Sequence, residues 1–182
     1  MYHPAIVARK LAEMLADPAI AEIFPHGFPD YAIDDRRALT AQIHAAKDPE
    51  TGQQLRALDE EEQQFVASSR LRVMVDAIFY LETFVWIDEE GHGLRPLYPL
   101  WESQRFVLQR LAQVELRHEK EGHPDGLLVN VLKARQLGVS TLAEALVSHR
   151  IFTTPFIRAI SGSDVEEQAT YLFKMGERIY AH

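Results

Sequence analysis

The sequence predicts an α/β protein in which a helical N-terminal segment over residues 1–58 precedes the first part of a parallel-sheet domain over residues 59–182. Three observations support this prediction. Apolar residues recur at helical spacing through much of the first half, short apolar runs occur at 127–132 and about 156–161, and a helix-compatible stretch follows each run. Strands that alternate with helices are typical of a parallel sheet with right-handed crossovers. Two strands do not complete a stable sheet, so we expect this sheet to be incomplete.

Three helices are predicted in the first half of the chain. Apolar residues at helical spacing over residues 4–23 predict the first, which ends before Pro25. The second is predicted from Asp34 to Ala46, where Asp-Pro and a glycine follow. A long third helix is predicted from Asp59 to about Thr83, because Asp59 and Glu62 match a capping box.

The segment between this helix and the apolar run at 127–132 is of mixed character. Phe84–Ile87 is short, apolar and aromatic, which fits either a strand or the frayed end of the helix. Residues 88–96 are rich in glycine and charge and predict a loop. A helix is predicted to begin at Pro99, and the charged stretch 115–125 is predicted to be another loop.

Composition excludes several classes of protein. The 182 residues are 47% hydrophobic and 25% charged, which is ordinary for a soluble globular protein. The absence of cysteine excludes disulfides and thiolate metal sites. No apolar run approaches the ~18 residues that span a bilayer, so we expect a soluble intracellular protein. With 19 basic and 27 acidic residues the net charge is −8, so charge does not predict a DNA-binding face in this chain.

A short motif at residues 127–141 carries the functional prediction. Gly138 and Ser140 stand at the second glycine and the hydroxyl of the phosphate-loop pattern G-x-x-x-x-G-K-[ST], whereas Val139 replaces its lysine and Lys133 stands at its first glycine. Such a loop aims backbone N–H groups at phosphate, and the following helix N-terminus adds partial positive charge. The predicted nucleotide-binding residues of the loop are Lys133, Ala134, Arg135, Gln136, Leu137, Gly138, Val139, Ser140 and Thr141.

Two cations and a hydroxyl supply the chemistry expected of this loop. The flexible stem of Lys133 can deliver a positive charge to the β- and γ-phosphates from the start of the loop, and Arg135 can fork onto γ-phosphate oxygens. These two residues are the predicted catalytic residues. Ser140 is predicted to contact the Mg²⁺ held by ATP, with Thr141 as a substitute. The same residues are also compatible with a strand-to-helix turn that carries two exposed cations and binds no ligand.

The loop closely resembles the deviant Walker A segment of tailed-phage terminase large subunits, the ATPases of the DNA-packaging motor. The resemblance covers about residues 60–182 and is most specific at 132–141. The further segments that carry it are Phe84–Ile87, Pro99–Arg105, Ala159–Ser163, Glu167–Phe173 and Arg178–Tyr180. It implies a RecA/ASCE-like P-loop ATPase fold.

The resemblance also implies a function. In a complete family member, ATP hydrolysis with Mg²⁺ drives DNA into a procapsid, and Gln104 would contact adenine. On its residue type alone, Gln104 is instead an exposed helical glutamine. The implied partners are ATP, viral double-stranded DNA, the portal, the small terminase subunit and further copies in a ring. The implied location is the cytoplasm of an infected or lysogenic bacterial host, without membrane contact.

Part of the family pattern has no counterpart in the sequence. The family core continues into a Walker B strand with acidic residues and then into a nuclease domain, whereas Asp164, Glu166 and Glu167 lie at a predicted helix start. We therefore expect an N-terminal portion of such a protein, which binds ATP and leaves hydrolysis to the complete one. The alternatives are another nucleic-acid-dependent P-loop ATPase, such as a helicase, and a non-catalytic prophage remnant.

Three other residues receive structural predictions. Trp101 is predicted to pack rather than to stack on a base. His149 lies near a helix C-terminus, where the helix dipole favours positive charge, and needs no catalytic role. Glu144 is predicted to face solvent or a partner strand.

Overall fold

The computed structural model describes residues 2–89, 93–122, 130–131, 138–160 and 166–181. Within these ranges the chain is mostly helical. The helices are α1 (Pro4–Leu15), α2 (Pro18–Ile23), α3 (Ile33–Ala45), α4 (Glu60–Val75), α5 (Ala77–Phe84), α6 (Glu102–Glu121), α7 (Val139–Thr153) and α8 (Glu166–Ala181), and the strands are β1 (Trp86–Glu89) and β2 (Gly93–Pro96). The predicted helical N-terminal part is therefore present.

Two of the predicted helices are interrupted. The prediction of one helix over 4–23 is wrong, because α1 ends at Leu15 and Asp17 caps a second helix by accepting a hydrogen bond from the Ala19 amide at 2.9 Å. The long helix from Asp59 is divided at Asp76, whose carboxylate accepts from the Phe79 amide at 2.9 Å. Aspartate favours such N-cap positions because its side chain satisfies an amide that the helix leaves free. The helix predicted over 34–46 is confirmed as α3.

The predicted capping box at the start of α4 is confirmed. Glu62 donates its backbone N–H to the Asp59 carboxylate at 2.8 Å, and the Glu62 side chain accepts from the Asp59 amide at 3.0 Å. The Arg56 guanidinium also donates hydrogen bonds to both carboxylate oxygens of Glu62, at 2.7 and 2.5 Å. This pairing with Arg56 is the main reason that the pKa of Glu62 falls from 4.5 to about 2.

The core is built around α5. This helix packs against α3, α4, α7 and β2, so it contacts both the N-terminal helices and the helix that follows the predicted loop. The packing crosses the predicted boundary at residue 58, since α1 and α3 both rest on α4. The buried residues of the larger core cluster are Tyr80, Leu81, Val85, Leu97, Leu100, Leu108, Leu142 and Ala145.

The described residues form an antiparallel hairpin and not a parallel sheet. Strand β1 pairs with β2 so that Trp86 faces Pro96 and Glu89 faces Gly93. At Phe84–Ile87 both alternatives occur in part, because α5 ends at Phe84 and β1 begins at Trp86. The loop predicted over 88–96 is wrong at residues 88–89 and 93–96, which belong to the two strands, and residues 90–92 lie outside the described ranges. Leu94 and Arg95 continue the pairing despite the flanking glycine and proline, so cross-strand pairing overrides local composition here.

The two strands predicted for the parallel sheet have different outcomes. In the run 127–132 only Asn130 and Val131 are described, and both are exposed without regular structure. The strand predicted at about 156–161 is wrong over residues 156–160, which are exposed and form no strand. A strand requires a neighbour to pair with its backbone, and the described residues provide none for this segment.

Helix α6 is longer than predicted and joins two distant parts of the chain. It runs to Glu121 and ends at Gly122 in the left-handed conformation, which corrects the loop predicted from residue 115. Its Glu115 carboxylate accepts hydrogen bonds from the backbone amides of Tyr2 and His3 at 2.7 and 2.9 Å. Among the described helices, none is long and apolar enough to cross a bilayer.

Candidate functional site

The structure describes half of the predicted nucleotide-binding residues. Gln104, Gly138, Val139, Ser140 and Thr141 are described. The five loop residues outside the described ranges are Lys133, Ala134, Arg135, Gln136 and Leu137, and they include both predicted catalytic residues.

Gly138 stands directly before α7 in the left-handed backbone conformation, with φ of 65°. Glycine adopts this conformation without the steric cost that a side chain would add. The Gly138 carbonyl accepts the first hydrogen bond of the helix from the Leu142 amide at 3.0 Å. The sequence therefore places a glycine turn and a helix start in the order that the phosphate-loop motif requires.

The first turn of α7 is suited to an anion. Gly138 is the N-cap residue and has no side chain to cap the amides of Val139, Ser140 and Thr141, which have no partner within the helix itself. Unsatisfied amides at a helix N-terminus, together with the helix dipole, favour negative charge. Val139 is buried, whereas Ser140 and Thr141 are half-buried. The first turn of α7 thus presents backbone N–H groups that could hold an anion, and Ser140 carries a hydroxyl in that turn.

Gln104 is a buried link between α6 and the glycine turn. Its side-chain oxygen accepts from the Trp101 amide at 2.9 Å, and its Nε2 donates to the Gly138 carbonyl at 3.0 Å. The residue is only 3% exposed, so the alternative of an exposed helical glutamine is wrong. The structure thereby brings together two predicted site residues that are 34 positions apart in sequence.

Trp101 packs on the same turn. A Cβ atom added to Gly138 would lie 2.8 Å from the Gln104 Nε2 atom and 3.0 Å from the Trp101 Cε3 atom. A residue with a Cβ at position 138 would therefore displace the Gln104 amide, and the left-handed backbone conformation would strain it in any case. Trp101 contacts this turn while its side chain is 45% exposed, so its packing role stays a prediction.

Glu144 belongs to the interior of α7 and was missed as a buried residue. It lies one turn after Ser140 and is buried. A Cβ added to Gly176 of α8 would lie 3.8 Å from its Oε2 atom, which places this carboxylate at the contact between α7 and α8. Apolar residues flank it in sequence, including the buried Leu142 and Ala145, and this pattern indicates that its face of α7 is buried.

His149 has a different role from the one predicted. It is 1% exposed, its Nε2 atom lies 2.7 Å from the Val73 carbonyl oxygen, and its ring centre lies 5.3 Å from that of Tyr80. A carbonyl only accepts hydrogen bonds, so Nε2 carries the proton. Burial lowers the pKa of His149, which favours the neutral ring. The prediction that helix-dipole stabilisation of positive charge explains this residue is wrong, because the ring instead joins α7 to α4.

A groove lies away from these residues. It has a volume of 520 Å³ and lies between α3 and the end of α7, over a floor formed by α4 and α5. Ile43, Phe65 and Tyr80 contribute its buried lining, and Gln104 and residues 138–141, the described nucleotide-binding candidates, do not line it. Ser69 also lines this groove, and its hydroxyl is buried without a hydrogen-bond partner in the described ranges.

Among the described residues, no group of three or more His, Asp or Glu side chains could hold a metal ion by itself. No protein-family model matches the chain, and comparisons with curated proteins and with solved structures find no similar protein.

Proposed function

We propose that this chain is the ATP-binding part of a viral DNA-packaging motor of the terminase large subunit type, in which ATP hydrolysis by the complete protein drives DNA translocation. The observation that carries the proposal is the left-handed Gly138 directly before α7, with Ser140 in the first turn. The resemblance of residues 133–141 to the terminase loop gives this geometry its specific interpretation.

The proposal assigns a role to each part of the loop. The amides at the start of α7 hold phosphate, and the Ser140 hydroxyl faces the metal. Lys133 and Arg135, which lie outside the described residues, carry the positive charges that the triphosphate requires. A bound Mg²⁺ would neutralise charge on the β- and γ-phosphate oxygens.

The biological setting belongs to the proposal as well. The partners are viral double-stranded DNA, the portal, the small terminase subunit and neighbouring copies of the same chain, and the location is the cytoplasm of an infected or lysogenic bacterium. The net charge of −8 gives this chain no overall attraction for DNA, so the proposal assigns DNA contact to other parts of the motor.

Nucleotide-dependent thermal stability tests the proposal. A ligand that binds only the folded state stabilises it in proportion to RT ln(1 + [L]/Kd), so Mg²⁺-ATP at about a hundred times its Kd should add about 2.7 kcal/mol. Lys133→Ala should weaken binding, whereas Lys47→Ala on an exposed surface should bind as the parent chain does. An unchanged melting temperature of the parent chain across millimolar Mg²⁺-ATP would refute nucleotide binding.

A non-catalytic role is the second candidate, and the antiparallel hairpin favours it. A P-loop ATPase core is built on a parallel sheet, whereas the sheet in the described ranges pairs β1 and β2 in opposite directions. A chain with this role would bind no nucleotide, so the same titration separates the two candidates.

A further inference from the structure

The contacts of Gln104 give this residue a role that the adenine prediction does not include. Both polar atoms of its side chain already contact the protein, since Oε1 accepts from the Trp101 amide and Nε2 donates to the Gly138 carbonyl. One bond caps the start of α6, and the other reaches the residue that starts α7. The side chain therefore holds two helix N-termini in a fixed relation.

The partner of this bond is the residue whose conformation shapes the loop. Gly138 adopts φ of 65°, and its carbonyl receives hydrogen bonds from both Gln104 and the Leu142 amide. The Trp101 ring lies beside the glycine, with its Cε3 atom 3.0 Å from the position that a Cβ on Gly138 would occupy. Because the glycine carbonyl is fixed by two donors, the peptide planes that begin α7 have one orientation before any ligand arrives.

The hydrogen bonds of Gln104 lie in the protein interior. Gln104 is 3% exposed, so its bonds are shielded from water, and losing its donor would leave a carbonyl without one of its partners. Fixing a binding loop in its bound geometry increases affinity because less conformational freedom is lost on binding. The gain in affinity would apply to the phosphate groups, because the loop amides hold phosphate and not the base.

We propose that Gln104 is a positioning residue that holds Gly138, and with it the amides at the start of α7, in place for the triphosphate, independently of the base. This inference rests on the proposed nucleotide-binding function. It differs from adenine recognition in its prediction for ligands that lack adenine, because positioning affects inorganic triphosphate as strongly as ATP.

Binding of three ligands to variants of the full chain tests this role. The ligands are Mg²⁺ complexes of ATP, GTP and inorganic tripolyphosphate, measured by calorimetry well below the melting temperature. Gln104→Ala should weaken binding of all three by a similar factor, about tenfold for one buried hydrogen bond. Gln109→Ala is the matched control, because it makes the same change at an exposed position of α6 and should leave the three affinities unchanged.

A second variant guards against a loss of folding. Gln104→Met retains most of the side-chain volume while removing both hydrogen bonds, and it should show the same uniform loss. Circular dichroism and the fraction of chain that binds ligand report whether each variant is folded, so a change in Kd at full binding capacity is not a consequence of unfolding.

The outcomes separate the two proposals. Loss of ATP binding alone, with tripolyphosphate binding retained, would show that Gln104 reads the base and would overturn the positioning role. Unchanged binding of all ligands by Gln104→Ala and Gln104→Met would overturn it as well. If the parent chain binds none of the three ligands, the proposed nucleotide-binding function fails and the inference fails with it.

Discussion

The N-terminal helices and the stretch after α7 differ in how far their apolar side chains are exposed. In α5 the Leu81 side chain is 0% exposed, and four elements pack around that helix. After α7, Phe156 and Ile160 are fully exposed, at 104% and 97%. Two further aromatic side chains on α8, Tyr171 and Phe173, are also largely exposed.

Helical and strand-like segments therefore need different partners to become buried. A helix satisfies its backbone internally, so one apolar face against a neighbouring helix is sufficient for it to pack. An apolar strand-like segment needs another strand for its backbone and cover for both faces. Residues 156–160 have neither among the described residues, although their composition predicts a strand.

Truncating one apolar residue in each region tests whether the two regions contribute unequally to stability, and this comparison should give the largest effect. Leu81→Ala removes a side chain from the centre of the core and should lower the free energy of unfolding by about 2–5 kcal/mol. Phe156→Ala changes a fully exposed side chain and should alter it by less than about 0.5 kcal/mol. Urea denaturation followed by circular dichroism measures both. Similar losses for the two variants would show that Phe156 is packed in solution and would remove the contrast.

An intermediate effect concerns the histidine that anchors α7 to the N-terminal helices. The pKa of His149 is lowered from 6.5 by burial, so below pH 6.5 the unfolded chain binds a proton before the folded chain does. Folding stability should therefore fall as the pH drops through the range below 6.5, and above 6.5 this residue should contribute no pH dependence. Denaturation midpoints measured between pH 8 and pH 5 should show this slope.

Two variants assign the slope to one residue. His149→Gln removes the titrating ring and should flatten the curve over this range, whereas His44→Gln, on the exposed side of α3, retains His149 and should keep the slope. A slope that persists in His149→Gln would locate the pH dependence elsewhere in the chain.

The smallest expected effect compares two adjacent serines of α4. Ser69 has a buried hydroxyl without a partner in the described ranges, whereas the Ser68 hydroxyl donates to the Phe65 carbonyl at 3.1 Å. Ser69→Ala should stabilise the chain by about 1 kcal/mol, because it removes an unsatisfied group and raises helix propensity. Ser68→Ala loses a hydrogen bond in exchange for the same propensity and should lie within about 0.5 kcal/mol of the parent chain. Thermal melts of the two variants measure the difference. A higher melting temperature for Ser68→Ala than for Ser69→Ala would contradict the expected order.

The sequence predicted the helices well where the signal was local. The capping box at Asp59 and Glu62 located the start of α4, and the helix predicted over 34–46 agrees with α3 to within about a residue. The missed breaks at Asp17 and Asp76 had local signals too, since Asp-Pro and a lone aspartate between apolar residues are typical of N-caps. In both cases the apolar periodicity continued across the break and hid it.

The rest depended on contacts between distant residues. Strand β2 exists because it pairs with β1, and its glycine and proline gave the opposite local indication. The burial of Gln104 follows from its bond to Gly138, and no pattern within either segment indicates that bond. Helix-forming signals act over a few residues, whereas strand pairing and buried polar contacts are decided by the tertiary fold.

The hydrogen bonds from Tyr2 and His3 to Glu115 have a practical consequence. Helix α6 carries Gln104 near one end and Glu115 eleven residues later, about 16 Å along the same rigid axis at 1.5 Å per residue. A fluorophore attached beside the amino terminus would therefore sense movement of that axis. Ligand-driven rearrangement at the glycine turn becomes measurable there, without labelling the loop itself.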